Sequence, residues 1–437
     1  MIGIHHDEYV PQSGDPRFDV EAYELNVGYR VRTNRLEGRA VINAIAVVRT
    51  SSIALDLIGL RATRVRVDGD RRTLFQQGPR KLRLTTARAL EPGEPFSIEV
   101  LYSGVPRPRR SRWGTIGWEE LEDGALVASQ PIGAPTWFPC NDRPDDRARY
   151  RIAVTTESAY TVAATGRPID VSRGGANSTW RFESSVPMAT HLAAVHVGPY
   201  RELVLDAPRG PNGSIGRVLH PVASAGIARR AFGDVPRMIA VFEEAFGPYP
   251  QEDCTIVLTP DDLEIPLEAQ GMAVFGANHT DDASKRLIPH ELAHQWFGNS
   301  VGVARWRDIW LNEGFACFAE WLWSERSGGP TIAAHAEAHH ARLRMLPQDL
   351  VLSDPGPARM FDDRVYKRGA LVLEALRRTA GDAAFAALLR EWAATHRHGV
   401  VTTADFRSCV AVTTGSTHDA LLTAWLDQPQ LPALPRR

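Results

Sequence analysis

The chain has few cysteines, and they are far apart. The four cysteines form no Cys-x-x-Cys pair, which argues against a disulfide framework and against a zinc site built from cysteine. Such a pattern is typical of a protein from a reducing compartment. The first residues, MIGIHHDEYVPQSGDP, lack the basic segment and the apolar stretch of a signal peptide. We therefore expect a cytoplasmic protein.

Lysine is nearly absent from the chain. The only lysines are Lys81, Lys285 and Lys367, among 50 lysine and arginine residues. Arginine supplies the other basic residues, and the formal net charge is −2. A charge so close to balance argues against a broad surface for nucleic acid. The sequence also lacks an uninterrupted apolar run of about 18 residues, so it predicts no membrane-spanning helix.

The chain divides into two regions with different hydrophobic periods. Residues 23–201 contain many short runs rich in β-branched residues, which predicts an all-β sandwich or saddle. The segment DAPRGPNGS, Asp206–Ser214, is rich in proline and glycine and is the best candidate boundary. After it, DCTIVLTP predicts one buried strand, and the remainder has mainly helical periodicity. We predict an N-terminal β domain at 1–205 and a mixed, mainly helical domain at 206–437.

The segment PHELAHQWFGN contains a His-Glu-x-x-His pattern. His290 and His294 are four residues apart, so a helix would place both imidazoles on one face, where they can bind one ion. Neutral imidazoles suit zinc, and Glu291 would lie beside the zinc-bound water as a general base. By itself the pattern is not decisive, because one such match can arise by chance on any helix.

A second segment, WLNEGFACFAEW, supports the metal site. It places Glu313 in an apolar helix, where burying a carboxylate is costly unless the group is paired or binds a metal. Two histidines and a glutamate in this order form a ligand set with an open fourth position, which is typical of catalytic zinc. The sequence therefore predicts one zinc ion per chain, bound by His290, His294 and Glu313.

With these motifs, the chain resembles the aminopeptidase N family of gluzincin metallopeptidases, which includes leukotriene hydrolase. The resemblance rests on HELAHQWFGN and WLNEGFA in the second region and on LEGRAVINA, QPIGAPTWFPCNDRPDDRARY and AVHVGPY in the first. It covers essentially the whole chain. It implies an N-terminal β-saddle domain followed by a thermolysin-like catalytic domain, in a short form without the family's C-terminal helical-repeat domain.

Two further residues are candidates for roles near the metal. The resemblance implies that Tyr366, in VYKRGALVL, stabilises the oxyanion, although a core tyrosine at a helix start also fits the local pattern. Arg368 replaces the lysine that the family usually has in this element. Glu320 lies seven residues after Glu313 on the same helical face. It either orients a ligating histidine or forms a surface pair with Arg326 or another arginine.

The resemblance also implies a site for the substrate's free α-amine. Glu268, in IPLEAQ, stands where the family binds this amine, although a solvated loop residue is an alternative. Gln130, in SQPIGAP, would assist Glu268. Residues at three neighbouring positions depart from the family's amine-binding motifs, which puts selectivity for the amino terminus in question. These residues are Ile132, Ile265 and Ala269.

Taken together, the motifs predict a zinc metallopeptidase whose partners are peptides. The favoured activity is that of an aminopeptidase, in which Glu291 transfers the proton, Tyr366 stabilises the oxyanion and Glu268 binds the ammonium group. One alternative is a zinc endopeptidase that needs no free amine. Another is a peptide-binding protein with a structural zinc ion. We expect neither a nucleic-acid nor a membrane partner.

Overall fold

A computed structural model describes residues 6–205 and 216–436 of the chain. The predicted boundary segment, Asp206–Ser214, lies outside the described residues. The first region is built from strands, as the sequence predicts. Its strands are β1 (Phe18–Arg30), β2 (Arg35–Ala46), β3 (Thr50–Asp56), β4 (Arg61–Val67), β5 (Leu74–Gln77), β6 (Lys81–Leu90), β7 (Pro95–Gly104), β8 (Arg109–Ser111), β9 (Gly114–Leu121), β10 (Gly124–Ala128), β11 (Arg147–Glu157), β12 (Thr161–Ala164), β13 (Arg167–Gly174), β14 (Asn177–Ala189) and β15 (Val195–Gly198).

These strands form three sheets that share one apolar core. The largest has seven strands in the order β13-β14-β11-β1-β2-β7-β4, and the others have the orders β12-β15-β10-β9-β8 and β3-β6-β5. Along β1 and β2 nearly every second side chain is buried, because alternate residues of a strand point to opposite faces of the sheet. The buried faces meet around large aromatic side chains such as Trp118, Trp137 and Tyr23.

The second region combines a small mixed sheet with helices. Its strands are β16 (Tyr200–Val204), β17 (Gly216–Pro221), β18 (Cys254–Leu258), β19 (Leu267–Ala269), β20 (Met272–Phe275), β21 (Gly302–Val303) and β22 (Val400–Val401). Its helices are α1 (Ala225–Phe232), α2 (Val235–Phe246), α3 (Leu287–Ala293), α4 (Trp310–Arg326), α5 (Ile332–Leu343), α6 (Asp363–Ala380), α7 (Asp382–Thr395), α8 (Thr403–Thr414) and α9 (Asp419–Leu422).

The small sheet has the strand order β16-β17-β18-β20-β19. Strand β18 is buried along its whole length, as the run DCTIVLTP predicts. Strand β16 precedes the predicted boundary at residue 205 but pairs with β17, so its hydrogen bonds belong to the sheet of the second region. The boundary itself stays a prediction.

The predicted fold class is confirmed, because an all-strand region is followed by a mixed and mainly helical region. Within residues 6–205 and 216–436, no helix is long and apolar enough to cross a membrane. Strand β19 lies at the edge of the small sheet. This edge borders a cavity between the two regions, and the helices α3, α4 and α6 also contribute residues to its wall.

Two glycines allow α4 and α6 to cross at close range. A Cβ atom on Gly314 would lie 2.8 Å from backbone atoms of Gly369, and one on Gly369 would lie 2.7 Å from the Cα atom of Gly314. A larger residue at either position would therefore push the two backbones apart. Glu313 precedes Gly314, and Tyr366 lies about one turn before Gly369, so the crossing brings these two side chains to the same place.

Arg368 attaches the C-terminal segment to α6. The side chain is buried, and its guanidinium nitrogens lie within hydrogen-bonding distance of six backbone carbonyls. These carbonyls belong to Leu350, Ala424, Trp425, Gln428, Pro429 and Gln430. A lysine, which has three donors on one nitrogen, could not satisfy as many. The arginine in place of the family's usual lysine therefore has a structural role in this chain.

We expect Arg368→Met to lower the free energy of unfolding by about 3 kcal/mol, because several buried carbonyls would lose their donor. Thermal unfolding of the two proteins, followed by circular dichroism, measures this effect. Arg390→Met serves as the control, since Arg390 is an exposed residue of α7. If the Arg368 and Arg390 variants unfold at the same temperature, the carbonyl contacts do not stabilise the fold.

Candidate active site

The short helix α3 positions the two histidines of the His-Glu-x-x-His pattern. The helix begins at Leu287, so Pro289 lies in its first turn, where the missing N–H has no intrahelical partner to lose. His290 lies inside the helix and His294 directly follows its last residue, still in helical conformation. Both imidazoles are buried, and their rings lie 4.8 Å apart, centroid to centroid.

Each imidazole is oriented through its Nδ1 atom. Nδ1 of His290 lies 2.8 Å from Oε1 of Glu320, and Nδ1 of His294 lies 3.0 Å from the carbonyl oxygen of Phe297. These contacts leave Nε2 of both rings available for a metal ion. Both roles considered for Glu320 are present. Its Oε1 atom orients His290, and its Oε2 atom lies 3.3 Å from Nη1 of Arg286, whereas Arg326 pairs with Glu244.

Glu313 completes a group of three converging donor atoms. Its Oε2 atom lies 3.5 Å from Nε2 of His290 and 3.5 Å from Nε2 of His294. All three side chains are buried, and the three donor atoms lie within 4.8 Å of one another. Two imidazole nitrogens and one carboxylate oxygen that face a common point are the donor set of a catalytic zinc site.

The electrostatics of this group favour positive charge between its members. Burial by itself would lower the pKa of both histidines, but nearby carboxylates raise it, to about 9 for His290 and to about 10 for His294. Glu313 makes the largest single contribution to the increase in both, followed by Glu320 for His290 and by Glu268 for His294. Burial would raise the pKa of Glu313, but the two histidines lower it to about 2. A divalent cation can replace the two protons that this arrangement favours. The residues therefore fit a zinc ion.

Glu291 is buried beside this group. Its Oε2 atom contacts no donor within the part of the chain that the structure describes. Burial raises the pKa of Glu291 to about 7, and the neighbouring histidines oppose this shift. An unpaired buried carboxylate is costly unless it serves a purpose. The ability to accept a proton at neutral pH suits a general base.

Tyr366 faces the group from α6. Its ring lies 5.9 Å from that of His290, centroid to centroid, and the two rings are nearly parallel, with an angle of 18° between them. Burial and, after it, the charge of Glu313 raise the pKa of the phenol well above its usual range. The hydroxyl therefore keeps its proton and can donate a hydrogen bond.

Glu268 approaches the same group from the edge of the small sheet. It belongs to strand β19 rather than to a solvated loop. One carboxylate oxygen lies within 4.8 Å of donor atoms of Glu291 and His294. Burial raises the pKa of Glu268, and His294 opposes this shift. Gln130 lines the same cavity, whereas the side chain of Ile132 is packed in the apolar core.

The candidate site residues line one cavity of about 790 Å³, and they are Gln130, Glu268, His290, Glu291, His294, Glu313, Glu320 and Tyr366. Ile132 is not part of this wall. The first region contributes apolar side chains such as Trp113 and Leu126, and the second contributes Leu263 and Phe361. The volume is in the range of sites that bind small ligands. The cavity therefore combines an apolar wall with a small number of convergent polar groups.

The cavity wall also contains carboxylates outside the sequence motifs, namely Glu119, Glu120, Asp262, Glu264 and Asp363, and four further residues with basic side chains. The four basic residues are His191, His196, Arg286 and Lys367. Burial lowers the pKa of both histidines to about 3, so these imidazoles are neutral. The position of Arg286 has a local signal in the sequence, because this residue precedes His290 by four positions and therefore lies on the same helical face. The two histidines carry no such local signal, because His191, in the single helical turn Thr190–Leu192, and His196, in β15, reach the cavity only through the packing of the first region against the second.

Comparisons with known proteins agree with this arrangement. Residues 19–192 match the Peptidase M1 N-terminal domain, and residues 230–425 match the Peptidase family M1 domain. A crystal structure of the M1 zinc metallopeptidase from Deinococcus radiodurans is 32% identical, with a TM-score of 0.90, and 98% of each chain is covered. A variant of that protein bound to a Tyr-Ser-Ala substrate is 31% identical, with a TM-score of 0.90, and the match covers 98% of this chain and 99% of the other.

Curated relatives match over a smaller share of their length. Aminopeptidase M1-A from Oryza sativa subsp. japonica is 26% identical over 343 residues, which cover 72% of this chain and 38% of the rice protein. The chain thus spans about two fifths of the length of this relative. The two domain matches, the similarity to a solved structure over its whole length, and the buried His290, His294 and Glu313 agree with one another. The chain belongs to the M1 family of zinc metallopeptidases.

Proposed function

We propose that this chain is a zinc-dependent aminopeptidase that removes the N-terminal residue of peptides. The observation that carries the proposal is the position of Glu268, whose carboxylate lies within 4.8 Å of donor atoms of Glu291 and His294. A carboxylate there can bind the ammonium group of a peptide whose first peptide bond lies at the metal ligands. The relatives of this chain include aminopeptidases, which supports the same activity.

His290, His294 and Glu313 would hold the zinc ion. When bound, zinc supplies Lewis-acid chemistry, which polarises a carbonyl group and makes water more acidic. Glu291 accepts a proton from the attacking water, because its Oε2 atom has no other partner within the described residues. The same carboxyl group then donates the proton to the leaving nitrogen.

Tyr366 and Glu268 act on different groups of the substrate. The phenol of Tyr366 donates a hydrogen bond to the carbonyl oxygen as negative charge develops on it, an interaction that contributes about 3 kcal/mol in oxyanion holes. Glu268 accepts hydrogen bonds from the ammonium group, and Gln130 would assist it from the first region. A Tyr-Ser-Ala substrate bound to the Deinococcus protein supports a peptide as the ligand. A cytoplasmic location is part of the proposal.

A zinc endopeptidase is the second candidate. The observation that favours it is the replacement of the family's amine-binding residues by Ile132, Ile265 and Ala269. These side chains cannot bind an ammonium group, so Glu268 would bear most of the amine recognition. A dependence of cleavage on the free amine therefore separates the two candidates.

We expect Glu291→Gln to lower kcat by about a thousandfold, because the amide cannot accept a proton. The zinc content should not change, since Glu291 is not one of the three converging ligands. Turnover of a fluorogenic leucine amide and zinc analysis by atomic absorption measure the two effects. Glu337→Gln, which changes an exposed residue of α5, is the control. Retention of most of the turnover by the Glu291 variant would eliminate it as the base.

We expect Tyr366→Phe to lower kcat by about a hundredfold or more and to change KM much less, because the lost hydrogen bond forms mainly in the transition state. Steady-state kinetics on the same substrate provide both constants. Tyr160→Phe is a matched control, because the Tyr160 phenol bonds to Asp123 away from the cavity. An unchanged kcat in the Tyr366 variant would reject the proposed donor.

We expect N-acetylation of a peptide substrate to lower kcat/KM by about a hundredfold or more, because the half-buried Glu268 carboxylate would lose its charged partner. A zinc chelator should abolish the cleavage of the free-amine peptide. Glu268→Gln should weaken cleavage of the free-amine peptide and remove most of the difference between the two peptides. Equal cleavage of the free and acetylated peptides by the wild type would instead identify an endopeptidase.

A further inference from the structure

Two cationic side chains line the same cavity as the metal ligands. Arg286 lies at the start of α3, one turn before His290, and its side chain is 60% exposed. Lys367 follows Tyr366 in α6 and is buried. Both residues belong to the cavity wall. Neither has a part in the proposed chemistry.

Glu320 only partly neutralises these two cations. Its Oε2 atom lies 3.3 Å from Nη1 of Arg286, and its Oε1 atom lies 3.7 Å from Nζ of Lys367. The same Oε1 atom accepts the hydrogen bond from His290 at 2.8 Å. One carboxylate is thus shared by three partners. Asp363 also lines this part of the cavity, but it pairs with Arg342, an additional cation.

Lys367 lacks a strong acceptor. Its hydrogen bond within the described residues is to Sγ of Cys317, at 3.1 Å, and burial raises the pKa of this thiol to about 12, so the sulfur is uncharged. An ammonium group has three donors, and a buried charge normally requires full pairing. The cavity therefore contains an ammonium group that can accept a further anionic partner.

Glu268 and the two cations lie beside different histidine ligands. Glu268 lies beside His294, whereas Glu320, with its two cations, lies beside His290. A peptide with its ammonium group at Glu268 and its first carbonyl at the metal ligands directs its leaving part away from Glu268. This separation of charge beside the metal ligands matches that of a short peptide with two charged ends.

We propose that Arg286 and Lys367 form a subsite for a carboxylate on the leaving part of the substrate. The proposal rests on the aminopeptidase function proposed above and specifies its substrate class. The carboxylate is either the C-terminus of a dipeptide or an acidic side chain in the residue after the cleaved bond. Both sources present the same group to the two cations.

The dimensions of the site agree with a carboxylate at this position. Arg286 lies one helical turn, about 6 Å along the axis, from His290, and one extended residue spans about 3.5 Å. The side chain of Arg286 is long enough to span the remaining distance to a carboxylate on the residue after the cleaved bond. The guanidinium group has five donors, and its contact with Glu320 leaves others free for the forked hydrogen bonds that carboxylates form with arginine.

The test measures binding without turnover, in zinc-loaded protein that carries Glu291→Gln. Titration calorimetry with Leu-Ala and with Leu-Ala-amide gives two dissociation constants, and we expect Leu-Ala to bind about tenfold more tightly because of its carboxylate. Adding Arg286→Gln should reduce this ratio to about one. Lys367→Gln should also reduce it. The ratio compares the dissociation constants of two peptides in the same variant. A loss of affinity that affects both peptides equally therefore does not change it.

A matched control separates local from general charge effects. Arg326→Gln removes a positive charge from the exposed end of α4, outside the cavity wall, and should leave the ratio unchanged. If Lys367→Gln does not fold, Arg286→Gln decides alone, since that side chain is largely exposed. Equal dissociation constants for the two peptides in the parent protein, or an unchanged ratio in Arg286→Gln, would overturn the subsite.

Two further peptides distinguish the sources of the carboxylate. Leu-Asp-amide and Leu-Asn-amide differ only in a side-chain charge, and tighter binding of the former would assign the subsite to acidic side chains. Tighter binding of Leu-Ala without this second preference would assign it to a C-terminus. Wild-type turnover of Leu-Ala-amide is measured separately. Failure there would overturn the proposed function, whereas equal binding of the paired peptides would overturn the subsite alone.

Discussion

The contact of the Glu313 carboxylate with two buried imidazoles is the constraint on which the remainder of the site depends. A carboxylate in an apolar interior costs several kcal/mol unless a positive charge offsets it, and the Nε2 atoms of His290 and His294 lie 3.5 Å away. This arrangement requires α3 and α4 to keep their relative positions. Glu320, seven residues after Glu313 on α4, adds a second contact to His290, so one helix holds the other at two points.

The close crossing of α4 and α6 determines where the side chains of α6 lie in the cavity. Since Gly314 and Gly369 bring the two backbones into contact, Tyr366 lies against His290. Arg368 holds the other side of α6 through the C-terminal segment. Strand β19 and the sheets of the first region also line the cavity. The apolar side chains in this wall lower the local dielectric and strengthen the electrostatic interactions of the buried polar groups.

The distribution of charge along the cavity is unequal. Carboxylates dominate beside His294, whereas basic side chains accompany Glu320 beside His290. Lys367 is one of only three lysines in the chain, and it is buried where an ammonium group has few acceptors. Such a field favours ligands with opposite charges at their two ends, because each end then meets its complement in a low dielectric.

Local pattern was enough to predict the metal ligands. The spacing of His290 and His294 alone places them on one helical face. The carboxylate of Glu313, in an apolar helix, is costly to bury unless a cation lies beside it. The change in hydrophobic period likewise predicted strands first and helices afterwards. The partner of Glu320, the approach of Arg286 to Lys367 and the positions of His191 and His196 were decided only by the tertiary structure. The physical reason is that these contacts join residues far apart in the chain, and their distances depend on how helices cross and sheets pack.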